Sequence, residues 1–138
     1  MATILLVEDD DDLRESIRVQ LEADRHRVVE ADDGTEAIQC WRSFVFDLII
    51  TDFSMPGLNG QEVIQMVSAS QPELPVILMS CGIEEPVLLC ILHRFPSVQY
   101  LPKQIISTHL RGYVRDALRG QVTSDHLSGL RRQLTKAG

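Results

Sequence analysis

The sequence has little of the residue chemistry that marks several common classes of protein. Its three cysteines, Cys40, Cys81 and Cys90, are odd in number, widely spaced and not arranged as a CxxC pair. They predict neither a disulfide framework nor a zinc site, and they fit a reducing compartment. No apolar run approaches the length of a membrane span, and no signal peptide opens the chain. We expect a cytoplasmic protein without membrane insertion.

Positive charge is also scarce, and it is scattered until the C-terminal end of the chain. The 13 basic residues are outnumbered by 20 acidic ones, giving a net charge of −7. Neutralising nucleic-acid phosphates requires a basic face, so we expect no direct binding to nucleic acid. The P-loop and the GxGxxG motif are absent, which argues against a nucleotide cradle. A concentrated acidic cluster would instead suit a divalent cation.

Strand-like runs alternate with helical periodicity along the chain. The strand-like runs occupy residues 3–7, 27–30, 48–51, 76–79 and 98–101. Helical segments follow each of them, the first marked by Leu13, Ile17 and Leu21 and the others spanning about 35–41, 59–69, 84–94 and 106–118. This alternation predicts an α/β fold: a flavodoxin-like, doubly wound, five-stranded parallel sheet of order 2-1-3-4-5 with five flanking helices. We expect one domain over 1–119, with 120–138 as a C-terminal tail or linker.

Polar side chains follow the strands at the edge where such sheets bind ligands. Asp52 ends the third strand, and Glu8 and Asp9 follow the first, which neighbours the third in the predicted order. Ser80 and Lys103 follow the fourth and fifth strands. Without the residues at the other strand ends, Asp52 would be interpreted as a helix cap or a loop residue. Together the acids suit Mg²⁺, with Mn²⁺ as the alternative, and the whole set predicts a phosphoryl-handling site with Asp52 as the nucleophile.

Four separated motifs carry a family resemblance. The segments ILLVEDD, DLIITDFSMPGLNG, PVILMS and YLPK occur in that order, and over roughly residues 2–119 the chain resembles the receiver domain of bacterial two-component response regulators. The stretches 52–60 and 76–80 are most similar to receivers attached to hybrid sensor histidine kinases. The resemblance implies these roles: Asp52 as phosphoacceptor; Glu8, Asp9, Asp52 and the backbone carbonyl of Ser54 as Mg²⁺ ligands; Ser80 and Lys103 as phosphoryl-contacting groups; Ser80 and Tyr100 as switch residues.

The chain departs from the family pattern in the stretch after the lysine. The family usually has a proline there in a cis peptide, whereas this chain has Gln104. A cis bond before a non-proline residue costs about 3–4 kcal/mol, so the Lys103–Gln104 bond is either trans with a re-routed loop or strained. Ser80 replaces the commoner threonine and keeps the hydroxyl. Residues 84–96 fit the family's fourth helix poorly.

Three functions are compatible with this site. The first is a signalling phosphoacceptor, which is not a turnover enzyme and takes its phosphoryl group from a sensor histidine kinase or a histidine phosphotransfer protein. The second is an aspartyl-phosphate phosphatase, but such enzymes need an acid/base Asp two residues after the nucleophile, where this chain has Ser54. The third is a docking domain that is not phosphorylated.

A partner surface is predicted in the segment 84–103. Residues 86–92 contain no charged or polar side chain, although a helix on a sheet should be apolar on one stripe only. The buried positions of this helix could be Leu88 and Leu92, or Val87 and Ile91. An exposed remainder predicts a docking surface for a second copy of the chain or for the kinase. A deeply packed segment is the alternative.

Overall fold

Five parallel strands and five helices alternate along residues 1–120, the part of the chain described in the computed structural model. The elements are β1 (Thr3–Val7), α1 (Asp11–Ala23), β2 (Arg27–Ala31), α2 (Gly34–Ser43), β3 (Leu48–Asp52), α3 (Gly60–Ser70), β4 (Val76–Ser80), α4 (Glu85–Arg94), β5 (Val98–Pro102) and α5 (Ile106–Leu118), with a 3-10 turn at Lys103–Ile105. The predicted strands and helices are thus confirmed, with ends that shift by one or two residues. The predicted tail lies almost entirely outside the described residues.

The sheet has the predicted order β2-β1-β3-β4-β5, with every neighbouring pair parallel. Because all strands run the same way, their carboxyl ends meet at one edge. Val7 pairs with Thr51 across β1 and β3, so the residues that follow, Glu8 and Asp52, start from neighbouring positions. Ser80 pairs with Pro102 across β4 and β5, which places Lys103 beside the end of β4.

Alternation along the strands builds a core on each face of the sheet. Leu5, Val7 and Ile49 point to the face covered by α2, α3 and α4, where Ala37, Val63 and Leu88 are buried. Ile4, Leu6 and Ile50 point to the face covered by α1 and α5, where Ile17, Leu21 and Leu110 are buried. Full burial of one such side chain contributes roughly 1.5–3 kcal/mol relative to exposure. Packing in these two cores therefore holds in place the carboxyl edge of the sheet, where the polar residues lie.

The inward face of α4 differs from both predicted alternatives. The buried residues are Leu88 and Ile91, while Val87 and Leu92 are only partly buried against the core. At about 100° per residue, Leu88 and Ile91 form the centre of one apolar stripe, and Val87 and Leu92 flank it on either side. The predicted pairs, each spaced by four residues, were wrong because the stripe is centred between them. Leu89 lies on the outer side and is 39% exposed.

The chain leaves β5 without a cis peptide bond, since the described residues contain none. The Lys103–Gln104 bond is therefore trans, and the 3-10 turn at Lys103–Ile105 leads into α5. Of the alternatives left by the sequence, the trans bond is the one found. Within residues 1–120, every helix is too short or too polar to cross a bilayer.

Candidate functional site

Three carboxylates converge at the carboxyl edge of the sheet. Glu8 follows β1 and is fully buried, Asp52 ends β3 and is 5% exposed, and Asp9 lies at the surface. A carboxylate oxygen from each of the three lies within 4.8 Å of the others. The convergence expected from the strand order is thus present in the structure.

The loop after Asp52 is held by close backbone packing. The Gly60 N–H donates to the Phe53 carbonyl at 2.8 Å, and the Phe53 N–H donates to the Met79 carbonyl of β4 at 2.9 Å. A Cβ atom at Gly60 would lie 2.6 Å from the Asp52 carbonyl oxygen, which is closer than real Cβ contacts come. Glycine is therefore required there, and its absence of a side chain lets α3 begin directly against the end of β3.

Lys103 lies between the two buried carboxylates. Its Nζ donates a hydrogen bond to Asp52 Oδ2 at 2.9 Å and is 2.7 Å from Glu8 Oε1. The contact with Glu8 is a short, buried ion pair, so Oε1 faces the lysine ammonium. The other oxygen, Oε2, accepts from the Asp10 N–H at 3.3 Å. Both oxygens of the buried Glu8 thus have a partner, Lys103 for Oε1 and the Asp10 N–H for Oε2.

This crowding shifts the pKa values of the site. Burial, the largest cause, and the charge of Asp52 together raise the pKa of Glu8 from 4.5 to about 7, against the lowering effect of Lys103. Burial alone would lower the pKa of Lys103, but hydrogen bonding and charge from Glu8 and Asp52 outweigh it and raise that pKa. At neutral pH the lysine therefore stays charged, while Glu8 is poised between its ionised and neutral forms.

The residues present fit a magnesium ion. The donor set contains only oxygen, as Mg²⁺ prefers, and the Glu8, Asp9 and Asp52 carboxylates are close enough to share one ion. Three carboxylates this close together repel one another, and a cation among them relieves that repulsion; Lys103 pairs with two of the three. Ser54, the remaining predicted ligand, is exposed in the loop two residues after Asp52.

The predicted switch residues, Ser80 and Tyr100, lie outside the cluster of three carboxylates. Ser80 is buried at the end of β4, and its Oγ accepts from the Gly82 N–H at 3.0 Å, within its own loop. Tyr100 is 5% exposed and packs in the same core as Leu88. Burial raises the pKa of the Tyr100 phenol. Its ring is therefore inward in this structure.

Two supporting residues were missed by the sequence reasoning. Arg14 of α1 donates to the Glu8 carbonyl at 2.7 Å and pairs with Asp11 and Glu30, so it holds the backbone of the acidic loop. Asp10 is the N-cap of α1, because its side chain accepts from the N–H groups of residues 12 and 13. The signal was available: an arginine on the first turn after an acidic run faces back toward that run.

The family of the chain follows from a comparison with known sequences. A family model described as the response regulator receiver domain matches residues 4–115. The chain therefore belongs to the response regulator receiver domain family. The matched segment includes Glu8, Asp9, Asp52, Ser80 and Lys103.

Individual relatives agree with this assignment. The cell cycle response regulator CtrA of Brucella ovis is 31% identical over 86 residues, which are 61% of this chain but only 37% of the relative. The chain thus aligns with little more than a third of the length of that curated relative. Among solved structures, the response regulator TrrA of Thermotoga maritima, in complex with Mg²⁺ and BeF, is 25% identical with a TM-score of 0.74, covering 85% of this chain and 99% of that one.

Two further structures extend the comparison. The non-phosphorylated HemR receiver domain of Leptospira biflexa is 27% identical, with a TM-score of 0.75, covering 86% of this chain and 94% of that one. A LuxR-family response regulator from Aurantimonas has a TM-score of 0.83 over 98% of this chain and 99% of its own. Its 22% identity shows a shared fold only.

Proposed function

We propose that this chain is a phosphoacceptor in a two-component system, with Asp52 as the residue that takes the phosphoryl group. The donor is a phosphohistidine on a sensor histidine kinase or histidine phosphotransfer protein, or a small acyl phosphate. The observation that carries the proposal is the position of Asp52. Its carboxylate lies beside two further acids and accepts from Lys103 at 2.9 Å.

The chemistry requires one bond to form and one to break. An Asp52 carboxylate oxygen bonds to phosphorus while the bond from phosphorus to the donor nitrogen breaks, and that electron pair stays on the imidazole. The Lys103 ammonium, 2.9 Å from Asp52 Oδ2, would offset negative charge on the transferring group. Glu8 and Asp9, with Asp52 and the Ser54 carbonyl, would hold Mg²⁺ or Mn²⁺. A bound ion would supply further neutralisation of phosphoryl oxygens.

The site favours signalling over repeated turnover. A phosphatase that uses an aspartyl-phosphate needs a general acid/base near the leaving group, and Ser54 occupies the position expected for it. We propose that the domain catalyses only its own phosphorylation and dephosphorylation, and that its output is a change in a partner-binding surface involving Ser80 and Tyr100.

Acetyl phosphate with magnesium tests the phosphoacceptor directly. We expect an acid-stable, alkali-labile adduct by intact mass spectrometry, lost in Asp52→Asn. Asp33→Asn is the matched control, because Asp33 belongs to another group of three acids and caps α2. Equal labelling of wild type and Asp52→Asn would overturn the assignment, and so would loss of labelling in the control alone.

A partner surface on α4 is the second proposal. Leu89 and Cys90 are exposed on the outer side of α4, while Leu88 and Ile91 are buried beneath them. We propose that this outer face, with the adjoining β5, docks a second copy of the chain or the kinase. Light scattering with and without beryllofluoride tests the homodimer, and binding to the kinase tests the other partner. A monomer in both states, with kinase binding intact in Leu89→Glu, would contradict both. Val19→Glu, an exposed apolar position on α1, is the control.

A further inference from the structure

The guanidinium of Arg14 contacts the backbone of the candidate metal site. Its Nη1 donates to the carbonyl oxygen of Glu8 at 2.7 Å. That carbonyl belongs to the peptide group that joins Glu8 to Asp9, and the side chains on either side of it supply two of the three clustered carboxylates. A donor held on this carbonyl therefore restricts rotation of the peptide group between the two acids.

Two acids hold the guanidinium itself in place. Arg14 Nη2 donates to Asp11 Oδ1 at 2.7 Å, and Nε donates to Glu30 Oε1 of β2 at 3.3 Å. Three nitrogens of one planar group thus contact three different oxygens, which suits the rigid fork of donors on arginine. The Arg14 side chain is also 17% exposed, so most of it is packed against the protein. The donor to the Glu8 carbonyl is therefore oriented by α1 and β2 together.

The other contacts to Glu8 act in the same direction. Its N–H donates to the Ala31 carbonyl of β2 at 3.1 Å, and its Oε2 accepts from the Asp10 N–H at 3.3 Å. Of the two hydrogen bonds to the backbone of Glu8, the one from Arg14 is the shorter, and its donor is charged. Such charge-assisted hydrogen bonds are roughly twice as strong as neutral ones. Arg14 thus makes the largest single contribution to holding this peptide group.

We propose that Arg14 is a positioning residue for the metal site, because it holds the peptide group between Glu8 and Asp9 and so keeps their carboxylates together. This inference rests on the proposed function, in which these acids hold Mg²⁺. The charge of Arg14 does not attract a cation, and Asp11 and Glu30 offset it. Without the hydrogen bond the peptide group is less restricted, and a site that is ordered only on binding holds its ion more weakly.

The test compares Arg14→Met with Arg18→Met in the full chain. Methionine keeps an unbranched apolar stem and a similar helix propensity, and it removes the guanidinium. Arg18 is the matched control, because it lies one turn further along α1 and also pairs with Glu30. Its other ion pairs are with Glu15 and Glu22, away from the acidic loop. Both variants therefore remove one positive charge from the same helix.

Isothermal titration calorimetry with magnesium chloride measures the affinity for the ion. We expect Arg14→Met to bind Mg²⁺ about tenfold more weakly than wild type, the low end of the loss typical of residues that support metal ligands. Arg18→Met should bind it as wild type does. Equal weakening in the two variants would overturn the positioning role, since the shared loss of charge would then explain it. Wild-type affinity in Arg14→Met, even with a lower free energy of unfolding in urea, would leave a structural role only and overturn it too.

A second readout needs no metal. Hydrogen exchange of the Asp10 amide reports on its contact with Glu8 Oε2, and we expect it to be faster in Arg14→Met than in Arg18→Met. Equal exchange rates in the metal-free variants would contradict the effect of Arg14 on the loop. Failure of wild type to bind magnesium would instead contradict the metal site of the proposed function, and the role of Arg14 toward the ion would be overturned with it.

Discussion

Two groups of three acids within residues 1–120 have the same composition, two aspartates and one glutamate, but different surroundings. In each group, one carboxylate oxygen per residue lies within 4.8 Å of the others. In the first group, Glu8 and Asp52 are buried and pair with Lys103, while Asp9 lies at the surface. Asp32, Asp33 and Glu36 lie at the start of α2, exposed or partly exposed. Proximity of acids therefore does not by itself distinguish a metal site from a helix terminus.

The hydrogen bonds separate the two groups. Asp33 accepts from the Glu36 N–H at 2.7 Å, so its charge is used to cap α2. A hydrogen bond with Glu36 lowers the pKa of Asp32, and the same contact raises the pKa of Glu36. The buried Glu8, by contrast, pairs with Lys103 and has a pKa raised to about 7. Burial and a shared lysine are thus the features that distinguish the first group from the second.

Removing the lysine should have the largest effect on stability. Lys103→Met leaves Glu8 and Asp52 buried without their counter-charge. We expect a loss of about 3 kcal/mol in unfolding free energy at pH 8 without metal, since breaking a buried ion pair strands the remaining charge. Urea denaturation measures it. An unchanged midpoint would mean that solvent, and not the lysine, balances these carboxylates.

Magnesium should stabilise the protein by binding to the group of Glu8, Asp9 and Asp52, and not to the acids at the start of α2. An ion at a hundred times its dissociation constant adds about 2.7 kcal/mol to the free energy of unfolding. We expect Asp9→Ala to abolish the magnesium-dependent rise in melting temperature, and Asp33→Ala to retain it. Thermal melts with and without magnesium compare the two variants. If Asp9→Ala keeps the rise, the acids after β1 only begin a helix.

The raised pKa of Glu8 predicts a pH-dependent gain from neutralising it. A carboxyl whose pKa is raised from 4.5 to about 7 on folding destabilises the native state as pH rises through that interval, and the full penalty applies above pH 7. Glu8→Gln should therefore stabilise the metal-free protein by about 1–3 kcal/mol at pH 8. The gain should vanish near pH 4.5. Denaturant melts of wild type and Glu8→Gln at pH 4.5 and at pH 8 measure this gain. An equal gain at the two pH values would contradict the raised pKa of Glu8.

Removing the N-cap of α2 should have the smallest effect on the free energy of unfolding. Asp33→Ala removes the acceptor for the Glu36 N–H, which should lower the unfolding free energy by about 1 kcal/mol. Urea denaturation checks the value. Asp33→Ser keeps a capping oxygen and should recover most of the loss. A loss in the alanine variant that serine does not recover would show that charge, not capping, is the role of Asp33.

The sequence predicted the positions that depend on strand order. Glu8, Asp52 and Lys103 follow apolar runs, and parallel pairing brings strand ends together, so their proximity follows from alternation alone. The inward face of α4 could not be predicted, because residues 86–92 are apolar all round and only tertiary packing selects Leu88 and Ile91. The hydrogen bond from Gln104 to Cys81 was equally hidden, since it joins two loops 23 residues apart in sequence.

Trapping the acyl phosphate tests the central claim most directly. Borohydride reduces an aspartyl phosphate to homoserine, which peptide mass spectrometry locates by residue. After incubation with acetyl phosphate and magnesium, we predict homoserine at position 52 and none at positions 9, 32 or 33. Omitting magnesium should suppress it. Homoserine at another acidic position, or an unmodified Asp52 in a sample that carries the adduct, would contradict the assignment.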